Sequence, residues 1–306
     1  MIQAHRLTKR YGPKTAVDDL DFTVKPGTVT GFLGPNGSGK STTMRLILGL
    51  DHPTGGTVTV NGRAYAGHPA PLGEVGALLE ARSIHTGRSA RNHLLALAAT
   101  HRIATGRVDE VLDLVGLTEV AHKRVGSFSL GMGQRLGIAS ALLGDPSTVI
   151  LDEPINGLDP EGVRWVRHLL KKLAGEGRTV FLSSHLMAEM AQTAEHVIVV
   201  GRGRLIADMS IDELVAGASA TVVVRSPEAE QLRHVLAGTD VTVNAASPGV
   251  LQVRGASTEQ IGETARAHNL AIYELRVEQA SLEDVFMSMT SDSVEYRAAD
   301  LQRIAV

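Results

Sequence analysis

Residues 34–42 read Gly34-Pro35-Asn36-Gly37-Ser38-Gly39-Lys40-Ser41-Thr42, and this run leaves the chain little freedom in what it can fold into. It fits the pattern G-x-x-x-x-G-K-[ST]. Residues 28–33 before it are short, apolar and β-rich and read as a buried strand; Met44, Ile47, Leu48 and Leu50 after it recur at helical spacing. The order is strand, glycine loop, helix. Glycines let the backbone take conformations that a Cβ forbids, so several N–H groups can turn inward around an anion at a helix N-terminus. In such a loop Lys40 reaches the β- and γ-phosphates, the Ser41 hydroxyl is placed to ligate Mg²⁺, and Thr42 adds a phosphate contact. The chain is expected to bind a nucleoside triphosphate.

Two further apolar runs end in chemistry-bearing residues. Residues 148–151 lead straight into Asp152 and Glu153, and residues 179–182 deliver Ser183, Ser184 and His185. In open α/β sheets ligands sit at the carboxyl ends of the strands, so Gly34, Asp152 and His185 should converge on one site. A carboxylate at the end of a buried strand needs a compensating cation, which gives Asp152 the role of a metal ligand beside Ser41. Glu153, one residue on, can face the γ-phosphate and orient or deprotonate the attacking water. His185 reads either as a structural histidine or as a hydrogen-bond donor to the γ-phosphate. Tyr11 likewise has two readings, a half-buried strand tyrosine or a ring that stacks on a purine base.

Around this centre the chain is organised in blocks. Residues 7–24 read as strands forming a small antiparallel sheet, residues 57–60 as a further strand, and Asn61-Gly62 as a tight hairpin turn. From about residue 84 to residue 145 the apolar spacing is helical, a helical insertion ahead of the strand at residues 148–151. Asp159 caps a helix begun by Pro160, with Val163, Val166, Leu169, Leu170 and Leu173 as its buried stripe. Near Gly217 the pattern changes to β-α-β-β-α-β, which suggests a small ferredoxin-like domain. A length of 306 residues agrees with about two domains. The expected division is a nucleotide-binding domain at 1–217, an accessory domain at 218–290 and a polar tail at 291–306.

A formal net charge of −3 with scattered Lys and Arg gives no basic footprint, so nucleic acid is not expected as a partner. With no cysteine, disulfide and thiolate chemistry are excluded, which suits a reducing compartment. The first residues are polar and strand-like, unlike a signal peptide. The longest apolar runs fall well short of the ~20 residues needed to cross a bilayer, so any membrane role is expected to come through a partner.

The segment Phe128-Ser129-Leu130-Gly131-Met132-Gly133-Gln134-Arg135-Leu136 stands just before the Asp152 strand. Together with the glycine loop, Asp152-Glu153-Pro154, Asn156-Gly157-Leu158-Asp159 and Ser184-His185, it resembles the ATP-binding cassette subunit of an ABC transporter, over about residues 1–217. The resemblance implies an α/β fold: a P-loop ATPase core of mixed sheet with an antiparallel β subdomain and a helical insertion, here followed by a small α+β accessory domain. It also implies ATP with Mg²⁺, Tyr11 as the base-stacking aromatic, Lys40 to Thr42 as phosphate and magnesium groups, Asp152 as a second magnesium contact, Glu153 as catalytic base and His185 as switch histidine. Ser129 and Gly131 match the signature that in this family contacts the γ-phosphate bound by the opposite subunit, which makes the active form a homodimer. Asp159 matches the loop joining the two sites.

Two positions depart from the family pattern. Leu130 stands where the signature has its first glycine, and Glu80 stands where the glutamine coupling the metal site to the membrane subunit is usual. Both departures, and residues 281–290, resemble the daunorubicin and bacitracin type of drug-resistance exporter. The implied role is an ATP-hydrolysing subunit, cytoplasmic and peripheral on the inner face of the cell membrane, driving export of a drug, peptide or lipid-like molecule through a separate ABC-2-type permease. The alternative is a soluble ABC-class ATPase acting on ribosomes or DNA, and such proteins usually carry two cassettes or a long coiled-coil insertion.

Overall fold

The structure is a computed structural model that describes residues 1–80, 84–217, 221–238, 241–278 and 282–290. Two compact units are separated at Ile211 and Asp212, the first beginning at Met1 and the second ending at Ser288.

The first unit is built on two sheets. Strands β1 (Ile2–Tyr11), β2 (Lys14–Val24) and β4 (Gly55–Val60) form an antiparallel sheet in the order β2-β1-β4. The larger sheet has six strands: β5 (Val75–Leu78), β6 (Thr148–Leu151), β7 (Thr179–Ser184), β3 (Val29–Leu33), β8 (His196–Gly201) and β9 (Arg204–Ser210), in that spatial order. All its pairings are parallel except β8 with β9. Every residue of β3, β6 and β7 is buried, as parallel strands covered on both faces require, which is why they read as mainly apolar runs. Phe22 of β2 lies 5.8 Å, ring centre to ring centre, from Phe32 of β3, and Phe32 lies 5.1 Å from Phe181 of β7. Each such contact contributes about 0.5–1.5 kcal/mol beyond burial, so the aromatic trio ties the antiparallel sheet to the parallel one.

Helices fill the crossovers. α1 (Lys40–Ile47) follows the glycine loop, and α2 (Pro71–Glu74) precedes β5. The helical insertion contains α3 (Ala90–Thr100), α4 (Thr105–Leu114) and α5 (Leu130–Leu142). α6 (Pro160–Gly175) buries Val166, Leu169, Leu170 and Leu173 of the stripe read from its spacing, while Val163 is only partly buried, and Asp159 caps the helix by accepting from the Gly162 N–H at 2.8 Å. α7 (Met187–Thr193) follows β7, and α8 (Ile211–Gly217) follows β9.

Two local readings need correction. Asn61 and Gly62 do turn the chain tightly, both with φ in the left-handed region (50° and 79°), but the turn closes a single bridge from Val60 to Arg63, and β4 pairs with β1 instead. Strand β5 was not legible. It is only four residues long and contains Gly76, where a Cβ would lie 1.8 Å from the Ala141 carbonyl oxygen of α5. The strand exists because that helix packs directly against it.

In the second unit β10 (Thr221–Arg225), α9 (Ala229–Leu236), β11 (Thr242–Ser247), β12 (Val250–Arg254), α10 (Thr258–Ala267) and β13 (Glu274–Glu278) follow in turn, and α11 (Leu282–Thr290) comes after them, its last two residues beyond this unit. The sheet order is β11-β12-β10-β13 and every neighbouring pair is antiparallel, so two βαβ units interleave. Val222, Val224, Leu251 and Val253 pack with Leu232 of α9 and Ile261 of α10 into a core of their own. Ser257 starts α10 with a reciprocal capping box with Gln260. The expected tail at 291–306 lies outside the described residues, as do the inter-element residues 218–220.

Candidate nucleotide site

The glycine loop joins β3 to α1 at the carboxyl edge of the parallel sheet. Gly37 and Gly39 have φ of 81° and 101°, and in the left-handed region a side chain is strained. At Gly39 a Cβ would also lie 2.4 Å from the Ala16 carbonyl oxygen. Gly39 is the residue from which α1 starts, so the loop hands its N–H groups directly to a helix N-terminus. Asn36, Gly37, Ser38, Gly39, Lys40, Ser41 and Thr42 line a cleft of about 440 Å³ together with Tyr11, Leu79, Asp152 and Glu153. Gly34 and Pro35 supply carbonyls to Lys40, whose Nζ donates to them at 2.6 and 3.2 Å. Burial lowers the Lys40 pKa, and the nearby Glu153 and Asp152 carboxylates oppose that fall.

The strand ends meet as the sequence predicts. Ser41 Oγ donates to Asp152 Oδ2 at 2.7 Å, and the buried Ser183 hydroxyl donates to Asp152 Oδ1. Glu153 Oε1 lies 2.9 Å from His185 Nδ1. The Glu153 N–H donates to Ser183 Oγ at 3.0 Å, and Gln134 Nε2 donates to the Glu153 carbonyl at 3.1 Å. Glu153 itself has φ of 49°, a conformation that costs a non-glycine residue about 1–3 kcal/mol and concentrates at functional sites. The roles of Ser183 and Gln134 were not singled out by any spacing rule, because both contacts join residues far apart in the chain.

Tyr11 is half exposed on the cleft wall. Its hydroxyl donates to Asp51 Oδ2 at 3.0 Å, that oxygen also accepts from Arg45 Nε at 2.7 Å, and Lys9 Nζ sits 4.9 Å from the centre of the ring. Glu80 is exposed, two residues past the end of β5 and next to Leu79 of the cleft.

Ser129, Gly131 and Asp159 lie elsewhere. Ser129 caps α5 by accepting from the Met132 N–H at 3.2 Å, and with Phe128 and Leu130 it lines a second cleft of about 410 Å³. Among the described residues the two clefts share no lining residue. Gly131 faces the loop before α6, where a Cβ would approach the Gly157 carbonyl to 3.3 Å. Leu130 covers Gly157: a Cβ there would lie 2.2 Å from Leu130 Cδ2.

A hydroxyl and a carboxylate in contact make an oxygen donor set that fits a hard cation. Among the described residues there is no group of three His, Cys, Asp or Glu able to hold a metal. Such a set suits Mg²⁺, which usually takes one or two protein ligands and completes its shell with water and phosphate oxygens.

This arrangement defines a phosphate-binding ATPase of the cassette type, and comparison with known proteins gives its family. Residues 17–156 match the family described as ABC transporter, and residues 220–283 match a domain of unknown function. The uncharacterized ABC transporter ATP-binding protein YhcH of Bacillus subtilis is 35% identical over 96% of this chain and 97% of its own length. The bacitracin transport ATP-binding protein BcrA of Bacillus licheniformis is 43% identical over 70% of this chain and 71% of its own. A dimeric ATP-binding cassette solved in a post-hydrolysis state with ADP and Pi superimposes with a TM-score of 0.63, at 26% identity, over 69% of this chain and 99% of that one. The chain belongs to the ATP-binding proteins of ABC transporters. It is an ATP-binding and ATP-hydrolysing subunit, not the ribosome- or DNA-directed alternative.

Proposed function

We propose that this subunit hydrolyses Mg·ATP at a site shared between two copies of the chain, and so drives export of a drug, peptide or lipid-like molecule through a separate ABC-2-type permease. The observation that carries the catalytic part is the joining of Ser41, Asp152, Glu153 and His185 along the strand ends beside the glycine loop. The export part follows the relatives, among them the bacitracin transport protein. Among the described residues no helix is long and apolar enough to cross a membrane. The proposed location is the cytoplasmic face of the cell membrane, where a permease would hold the subunit. Co-purification with a multi-span membrane protein tests this; recovery with ribosomes or DNA instead would overturn it.

In this reading the loop N–H groups of residues 34–42 and Lys40 hold the phosphates, and Tyr11 stacks on the base. Ser41 and Asp152 would hold Mg²⁺, with Glu80 as a further candidate ligand, and the ion would supply countercharge to the phosphate oxygens. Glu153 takes the proton from the attacking water, and His185, paired with Glu153 in this structure, donates to the γ-phosphate. Ser129 and Gly131 address the nucleotide of the opposite subunit, and Asp159 holds the loop between the two sites.

Lys40 is buried and donates to the Gly34 and Pro35 carbonyls of the loop, so its ammonium is positioned as a phosphate countercharge. Lys40→Ala is expected to weaken ATP binding at least ~10-fold by titration calorimetry, equivalent to about 1.4 kcal/mol or more. Unchanged affinity would remove Lys40 from the phosphate site.

The domain division proposed is a nucleotide-binding domain at 1–217 and a ferredoxin-like accessory domain at 218–290. Every described residue lining the nucleotide cleft falls between Tyr11 and Glu153, and the second unit has its own apolar core. A chain ending near Gly217 is therefore expected to keep Mg·ATP affinity within about threefold of the full chain. A folded truncation that binds no nucleotide would show that the accessory domain completes the site.

A further inference from the structure

We infer that Gln134 and Ser183 are positioning residues for hydrolysis: together they clamp the Glu153 backbone in the left-handed conformation that aims its carboxylate. This rests on the reading of Glu153 as the base. The strand β6 ends at Leu151, so the peptide groups of Glu153 need partners outside the strand ladder. They find them in two buried side chains from different elements and, for the carbonyl, also in the Asn156 N–H of the following turn at 3.2 Å. Ser183, fully buried near the end of β7, accepts the Glu153 N–H, and Gln134, 4% exposed on α5, donates to the Glu153 carbonyl.

The geometry explains why both contacts are needed. A glutamate with φ of 49° sits in a region that L-residues leave when nothing holds them there. Freeing the N–H, or leaving the carbonyl to the Asn156 N–H alone, lets φ relax to negative values, which swings the Cβ and carries the carboxylate away from its place 2.9 Å from His185 Nδ1. Neither Gln134 nor Ser183 is among the residues lining the nucleotide cleft. Loss of the clamp should therefore act on turnover and spare nucleotide affinity.

Ser183 also donates to Asp152, so its removal disturbs the metal side as well; Gln134 is the more selective probe. Gln134→Met keeps the length of the side chain and deletes the N–H. In the full chain this variant is expected to lower kcat at least ~10-fold, with KM and ATP affinity within about twofold of wild type. Ser183→Thr, which keeps a hydroxyl, should retain several times the kcat of Ser183→Ala. In a Glu153→Gln background, Gln134→Met should change the residual rate by less than about twofold, because the group it positions is already gone.

A folded Gln134→Met chain with wild-type kcat, while Glu153→Gln is slow, would overturn the clamp and leave the base assignment standing. Equal losses from Gln134→Met in the wild-type and Glu153→Gln backgrounds would also overturn it, placing the action of Gln134 elsewhere. Normal turnover by Glu153→Gln would remove the base and the clamp with it. If Gln134→Met does not fold, the serine series decides: equal rates for Ser183→Ala and Ser183→Thr would overturn the clamp.

Discussion

Glu153→Gln is expected to bind ATP as tightly as the wild-type chain and to turn it over at least ~100-fold more slowly. The substitution keeps the size of the side chain and an oxygen able to accept from His185, but an amide cannot take a proton from water. It also removes a negative charge beside Lys40 that would repel the phosphates of a bound ATP. Binding therefore has no reason to weaken. With hydrolysis blocked and affinity intact, the ATP-bound dimer should accumulate and be visible by size-exclusion chromatography with Mg·ATP present. Rapid single-turnover hydrolysis by this variant would take Glu153 out of the mechanism.

The second large effect is a rescue. Lys40→Ala and Ser129→Arg are each expected to be nearly inactive alone, the first for want of a phosphate countercharge and the second because a long cation replaces the signature hydroxyl. Ser129 lines a cleft that shares no described lining residue with the cleft of the glycine loop. If the two meet only between subunits, a dimer of one chain of each kind gathers both lesions in one composite site and leaves the other intact. Equal mixing gives about half mixed dimers, each with one working site, so roughly a quarter of wild-type ATPase activity should return if the sites act independently. Demonstrated mixed dimers with no recovered activity would sink the shared site.

Much of the architecture was open to reading because the burial pattern is local. Residues 149–151 and 180–182 are apolar throughout since parallel strands are covered on both faces, and a run of that kind announces itself. The alternation of strands and helices after residue 220 was equally plain, and Asp159 with Pro160 marked a helix start by local chemistry alone. Strand β5 escaped because its cause is tertiary: the helix against which Gly76 packs lies more than fifty residues on. The glycine loop and the residues at the strand ends could be named beforehand, but the hydrogen bonds that organise them could not. The Gln134 amide and the Ser183 hydroxyl reach Glu153 across sequence separations of 19 and 30, and the left-handed backbone of Glu153 leaves no trace in residue type.

Leu130 and Gly157 constrain one another. The leucine occupies the volume that any side chain at 157 would need, and Gly157 also has a φ of 77°. The bulk that the signature gains is thus matched by bulk that the following loop gives up. A signature with glycine at the position of Leu130 would open Gly157 to solvent, and a larger residue at 157 would have to displace the half-exposed leucine and take up the left-handed φ. In this chain the two segments are therefore best exchanged together.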